Sequence, residues 1–215
     1  MSETAAVAAP GRPRSAEKRD AILVAARDLL LEHGFPSTSM EMVAEKAGVG
    51  KPTIYRHFGN KQELTTAVIE QRRQQLVAAL GPMNDTAPDP GTDLRAFGCR
   101  FVELILNPKA RAWDRLVIAE ADRHPELART LFQAGPRYVH GIVRDYIAAA
   151  VDAGKLHTSD PDEAAEHLIS LLLGLELLRG QMASQPRRSK AQREQRAIRA
   201  VEAFLSAYAA EASAG

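Results

Sequence analysis

Between Ala47 and Phe58 the chain reads "GVGKPTIYRHF", which places two glycines and a proline between helical patterns. Upstream, "STSMEMVAEKAG" sets Met40, Val43, Ala44 and Ala47 on one helical face. Downstream, Ile54 and Phe58 have the spacing of another. Gly48 suits the left-handed residue that ends a helix at least cost. Pro52 suits a first helical turn, where its missing N–H would have no intrahelical partner, with Gly50 or Lys51 as the non-helical residue before it. The local prediction is two short helices separated by only three residues.

The same logic extends along the chain. Ser15 to His33 carries Ile22, Ala25, Ala26, Leu29 and Leu30 on one stripe and stops at Gly34. Thr38 or Ser39 can cap the next helix, with Glu41 as a possible capping-box partner of Thr38. Asn60 and Glu63 form an N-x-x-E start for a long helix to about Leu80. "GPMNDTAPDPGTD" reads as a connection into a larger second region. There the apolar faces run through Leu94 to Ile105, Trp113 to Ala121, and Tyr138 to Val151. Asp160-Pro161-Asp162-Glu163 opens an apolar helix to about Met182, and a last helix carries Ile198, Val201, Phe204, Leu205 and Tyr208. No strand alternation appears, so the expected fold is all-α with about nine helices. The expected parts are a disordered basic arm (1–14), a three-helix unit (15–76) and a larger helical bundle (77–215).

Two short helices on a glycine turn, the second of them basic, make a helix-turn-helix. With the first helix they form a stiff unit that can present the second short helix to a DNA major groove. Lys51, Thr53, Arg56 and His57 would be exposed there, with Tyr55 near the edge. These are the groups that meet phosphate oxygens and base edges. Net charge is only +1, so the argument rests on where cations cluster, around Arg12, Arg14, Lys18 and Arg19 and around Lys51, Arg56 and Lys61. Glu32, Glu41 and Glu45 fall in the other helices.

The run "KRDAILVAARDLLLEHGFPSTSMEMVAEKAGVGKPTIYRHFGNKQEL" resembles the N-terminal DNA-binding domain of the tetracycline-repressor (TetR) family. The resemblance implies a helical homodimer whose C-terminal domain binds a small molecule. It implies that Lys51, Pro52 and Thr53 lie against bases or adjacent phosphates. It also implies that Tyr55, His57 and Lys61 grip the DNA backbone and that Ser39 contacts a phosphate. Gly50 stands where that family commonly has serine, and Pro52 where glycine is frequent, so an inherited base preference does not follow. Arg12 and Arg14 are either a minor-groove arm or a plain basic tail.

The second region also looks like the regulatory domain of one broad TetR subgroup, through "RLVIAEADRHPELARTLFQAGP". Phe97, Phe101, Trp113, Leu116, Phe132 and Tyr138 could enclose a pocket for an apolar or amphipathic ligand, although each is also an ordinary core residue. The last two helices are expected to pair with those of a second copy, Ala197, Ala200, Ala203 and Ala207 allowing close approach. A ligand that favours a wrong spacing of the two recognition helices, ~34–36 Å or somewhat more on DNA, would release the operator.

Other classes find less support. No phosphate loop, nucleophile elbow, paired carboxylates or metal spacing occurs, and no cofactor is expected. His124 and His140 could line a ligand pocket, and His124, which precedes a proline, fits a turn equally well. Cys99 is a single thiol, which excludes an internal disulfide and fits a reducing cytoplasm. The most apolar run contains Glu176 and is too short for a membrane span, and no leader is expected at the N-terminus.

Overall fold

The computed structural model describes residues 14–83, 86, 88–182 and 188–210. Among them the secondary structure is helical apart from one isolated bridge between Leu156 and Ala209. The helices are α1 (Arg14–Ser37), α2 (Met40–Lys46), α3 (Lys51–His57), α4 (Lys61–Leu80), α5 (Pro90–Ile105), α6 (Pro108–Ala119), α7 (Pro125–Ala134), α8 (Pro136–Asp152), α9 (Pro161–Leu173), α10 (Leu175–Met182) and α11 (Lys190–Tyr208). The chain forms two compact units that meet in sequence within α4, one ending at Val68 and one beginning at Ile69.

In the first unit the turn of α1 is interrupted at Gly34, whose φ of 78° breaks the helical path where the sequence places the stop. The capping pattern that follows differs from the expected Thr38–Glu41 box. Ser39 is the N-cap and accepts the Met42 N–H at 3.2 Å. Thr38 is buried, and its hydroxyl donates to the Gly34 carbonyl at 2.8 Å and the Leu29 carbonyl at 3.2 Å. That leaves Glu41 on the surface of α2, with consequences described below. Met40, Val43, Ala44, Ile54 and Phe58 are buried with Ile22, Leu23, Leu29 and Leu30 of α1, so both short helices rest on one apolar face.

The second unit is built around α5, α8, α9 and α11. Phe97 and Phe101 stack at 5.5 Å between centroids, and Phe204 stacks on Tyr208 at 4.6 Å. They share a core with Leu94, Val143, Ile147, Leu168, Leu172 and Val201. Tyr146 is buried there as well, its hydroxyl donating to Asp93 at 2.7 Å. Burial first, and the Asp93 carboxylate second, push its pKa far above the usual phenol range. Asp160 caps α9 as its sequence predicts, accepting the N–H groups of Asp162 and Glu163 at 3.0 and 3.1 Å.

Two expectations change. The single helix expected from Pro161 to about Met182 is broken at Gly174, at φ 45° and ψ −139°, giving α9 and α10. A side chain there would collide with the Arg196 guanidinium, which donates to the Leu171 carbonyl at 3.2 Å. In α11, Ala197 and Ala200 are buried inside the unit, while Ala203 and Ala207 are exposed. The first two therefore pack against this chain's own helices rather than a second copy's. No helix among the described residues is long and apolar enough to cross a membrane.

Close approach of α5 to α9 and α11 depends on Gly98. A Cβ at that position would lie 3.0 Å from Leu172 Cδ2 and 3.4 Å from Val201 Cγ2. Gly98→Val is expected to lower the unfolding free energy by ~1–3 kcal/mol through overpacking. Gly141 lies in α8 with open space at its Cβ position, so Gly141→Ala should instead raise it by ~0.5–1 kcal/mol. Urea unfolding followed by circular dichroism measures both.

Candidate nucleic-acid interface

The turn between α2 and α3 is closed by backbone alone. Gly48 takes φ 64°, its N–H reaches the Glu45 carbonyl at 3.0 Å, and the Val49 N–H reaches Ala44 at 2.9 Å. This pair of reversed hydrogen bonds satisfies the last carbonyls of α2 and turns the chain in three residues. Gly50 is the N-cap of α3, with its carbonyl accepting from Thr53 at 2.9 Å and Ile54 at 3.3 Å. Pro52 occupies the first turn, where no N–H is missed. Ile54 and Phe58 point inward and are almost fully buried.

That orientation decides the outward set. Lys51, Pro52, Tyr55 and Arg56 are exposed, and Thr53 and His57 are half-buried. Sequence spacing thus places these α3 residues correctly on one short helix and its flanks. Ser39 sits at the head of α2 with its hydroxyl engaged as a cap. Arg14 is the first residue of α1, so the helix starts inside the stretch expected as a disordered arm, and Arg12 lies outside the described residues.

Lys61 has a different setting from the one expected of a DNA-gripping cation. Its ammonium donates to the Phe35 carbonyl at 2.5 Å and the Pro36 carbonyl at 3.4 Å, and lies 4.4 Å from the Phe35 ring centroid. It therefore fastens the chain after Gly34 to the start of α4. Asn60 and Glu63 set the beginning of that helix. The Asn60 side-chain oxygen accepts the Glu63 N–H at 2.9 Å, and the Glu63 carboxylate accepts the Gly59 N–H at 3.0 Å. Arg19 of α1 covers the Phe58 ring at 4.9 Å.

Glu41 is the residue that sequence reasoning missed. Its carboxylate accepts the Tyr55 hydroxyl at 3.2 Å and lies 3.8 Å from the Lys51 ammonium. A backbone hydrogen bond is the largest influence that holds its pKa below the usual carboxylate range, with Tyr55 and Lys51 acting in the same direction. Burial, then the Glu41 charge, pushes the Tyr55 phenol upward. The available signal was the cap: once Ser39 starts α2, Glu41 cannot be the third-residue box partner and must face outward.

In the second unit the six expected pocket residues have unlike settings, with Tyr138 packed against the cluster that holds Phe97 and Phe101. Phe97 and Phe101 are sealed in the core, and Phe132 is 54% exposed, which excludes it as a wall of an enclosed cavity in this form. Trp113 is fully buried under the Arg72 guanidinium at 5.6 Å, Leu116 is half-buried, and Tyr138 lies 5.8 Å from the Arg73 guanidinium. An open groove of about 370 Å³ is lined instead by Glu70, Arg73, Arg129, Thr130, Gln133 and Ala134. Around Trp113 the α6 helix buries polar groups: Arg111 donates to the Leu177 carbonyl, and burial pushes the Asp114 carboxyl upward. His124 precedes Pro125 as the N-cap residue of α7, and His140 lies beside Asp162. Cys99 is half-buried, and its burial raises the thiol pKa, which disfavours the reactive thiolate.

Comparison with known proteins agrees with this architecture. Residues 22–68 match the model of bacterial regulatory proteins of the tetR family, and residues 92–210 match that of the AefR-like transcriptional repressor C-terminal domain. A solved TetR-family regulator from Mesorhizobium loti is 31% identical, covering 92% of this chain and 100% of its own, with a TM-score of 0.81. The structure of the flavonoid-responsive regulator FrrA is 30% identical over 92% of this chain and 100% of its own, with a TM-score of 0.79. Among curated relatives, the transcriptional activator FasR of Mycolicibacterium smegmatis is 34% identical over 89 residues, and the match spans only 41% of that protein's length. YvkB of Bacillus subtilis, an HTH-type regulator, is 28% identical over 71% of this chain and 78% of its own. With a tetR-type head matched at one end, a repressor-type domain matched over more than half the chain, and a basic helix-turn-helix whose inward and outward faces are cleanly divided, the protein belongs to the TetR family of DNA-binding transcriptional regulators.

Proposed function

We propose that the protein is a dimeric repressor that leaves a palindromic operator when its C-terminal unit takes up a small amphipathic molecule. The observation that carries the DNA-binding half is the division of α3: Ile54 and Phe58 anchor it while Lys51, Tyr55 and Arg56 stand exposed. Lys51 and Tyr55 then serve as phosphate contacts, and Thr53, with the Pro52 ring beside it, meets base edges. His57 and Ser39 supply flanking backbone contacts. Lys61 acts chiefly by holding the chain after Gly34 in place.

Dimerisation is supported by an exposed apolar row. Leu171, Leu175, Leu178 and Met182 recur at intervals of four, three and four residues and are 40%, 64%, 46% and 65% exposed. Such a row, Leu171 on α9 and the other three on α10, is an exposed apolar patch of the kind that marks a contact surface, and a second copy with the same row covers it by two-fold symmetry. The repressor assignment is supported by the AefR-like match, and the ligand class by FrrA, a flavonoid-responsive relative at 30% identity. The FrrA likeness favours an effector with an aromatic or apolar body and polar edges. The effector acts by favouring the form of the dimer whose two α3 helices miss the half-site spacing.

Two outcomes are expected with a duplex from the region upstream of the gene. Lys51→Ala should weaken binding by a similar factor on every sequence and reduce the salt slope by about one unit, whereas Thr53→Ala should change the ranking of single-base operator variants. Fluorescence anisotropy over a salt series reads both, and a sequence-independent Thr53 effect would remove it from the base-reading set. Replacing Leu175 and Leu178 together with Glu should convert the dimer to a folded monomer in sedimentation equilibrium, with operator affinity falling in parallel. Retention of the dimer would place the interface elsewhere.

A further inference from the structure

The recognition helix carries its own counter-charge. Lys51 and Tyr55 stand on α3 with 68% of the lysine side chain exposed, yet both turn to one carboxylate, Glu41, on the neighbouring helix. The contacts are 3.8 Å to the ammonium and 3.2 Å to the hydroxyl, and Glu41 is itself 45% exposed. A phosphate oxygen would make the same two contacts: it is an anionic acceptor with room for an ammonium and a phenol O–H.

We infer that Glu41 is a phosphate surrogate that occupies Lys51 and Tyr55 in the DNA-free protein and must be displaced on DNA, so that it lowers the affinity of the head for DNA of every sequence. This rests on the DNA-binding role proposed above for α3.

The physical reasoning has three parts. The head of α2 accounts for a carboxylate at position 41, through its backbone hydrogen bond, but not for its two partners on α3. An exposed ion pair contributes little to folding, because water solvates both partners well. On DNA, the carboxylate meets a phosphate array of like charge and must give up its partners to it. That cost is the same on every sequence, whereas base contacts from Thr53 and its neighbours are made only on the operator. Removing the carboxylate therefore strengthens binding to operator and to arbitrary DNA by a similar factor, and the discrimination made by the base contacts is left as it was. The counterion balance gives an independent signature. Breaking the Glu41 pair costs less as salt screens it, which offsets part of the affinity that the Lys51–phosphate contact loses with salt.

The test uses the full-length protein and a mixed-sequence duplex of about three helical turns, with affinity measured across a salt series. Glu41→Gln should bind about three- to fivefold more tightly than the parent at low salt, the range an exposed charge pair commands, and its salt slope should steepen by roughly half a unit to one unit. Glu45→Gln makes the same change in net charge one helical turn further along α2, and should tighten binding less. In a Lys51→Gln, Tyr55→Phe background the Glu41 effect should shrink to the size of the Glu45 effect. Equal tightening by the Glu41 and Glu45 variants, or a Glu41 effect that survives loss of both partners, overturns the inference and leaves net charge as the cause. If Lys51→Gln binds the duplex as well as the parent, the DNA role of α3 fails and the surrogate fails with it. A Glu41 variant that binds more weakly shows that the carboxylate positions Lys51 for DNA, which also overturns it.

Discussion

The left-handed turn at Gly48 governs the rest of the first unit. It closes α2 with two backbone hydrogen bonds and delivers the chain to Gly50 within three residues. A residue with a Cβ would be strained at φ 64° even though space around the site is open. The requirement is conformational rather than steric. Given that turn, the phase of α3 is settled by Ile54 and Phe58, and the phase settles which side chains face water. The apolar contacts thus choose the polar interface without touching it.

Lys61 and Glu41 show how such a head divides its charged residues. Lys61 neutralises carbonyls left open after Gly34 and lies over an aromatic ring, so its charge is committed to structure. Glu41 makes exposed contacts with groups that have no folding task. Loss of Lys61 would uncover the Phe35 and Pro36 carbonyls, which is a structural penalty. Loss of the Glu41 contacts to Lys51 and Tyr55 would release two side chains into solvent, at little cost. The same type of interaction, an ion or hydrogen bond at a surface, has opposite meaning in the two places because burial of the partner differs.

Much of this was legible in the sequence where the signal was local. The Asn60–Glu63 start, the Asp160 cap, the stop at Gly34 and the inward pair Ile54 and Phe58 each depend on residues within four positions of one another. What escaped was set by partners distant in sequence. Thr38 looked like a cap, but burial against Leu29 and Gly34 turned its hydroxyl to carbonyls of the preceding helix. Glu41 looked like the capping-box partner of Thr38, because its actual partners, Lys51 and Tyr55, lie across a turn. Gly174 sat inside an apolar pattern that predicted one helix, and the Arg196 guanidinium that lies against the break comes from a helix further along the chain. The aromatic residues suggested a pocket, yet composition does not tell a stacked core pair such as Phe97 and Phe101 from the wall of a cavity.

The α9–α10 break also alters where a second copy can be met. An unbroken helix through Gly174 would have carried its apolar face on a single axis. With the break, Leu171 lies on α9, whereas Leu175, Leu178 and Met182 lie on α10, and all four remain exposed. Ala197 and Ala200 cannot share the work, because they pack inside the unit. A partner must therefore follow a bent row of long side chains, with only Ala203 and Ala207 of the small set on an exposed surface of α11. Long flexible side chains tolerate small changes of angle between packed helices better than alanine against alanine, whose close contact fixes one geometry. The induction mechanism proposed above would gain from that tolerance, since two dimer arrangements could then bury the same leucines.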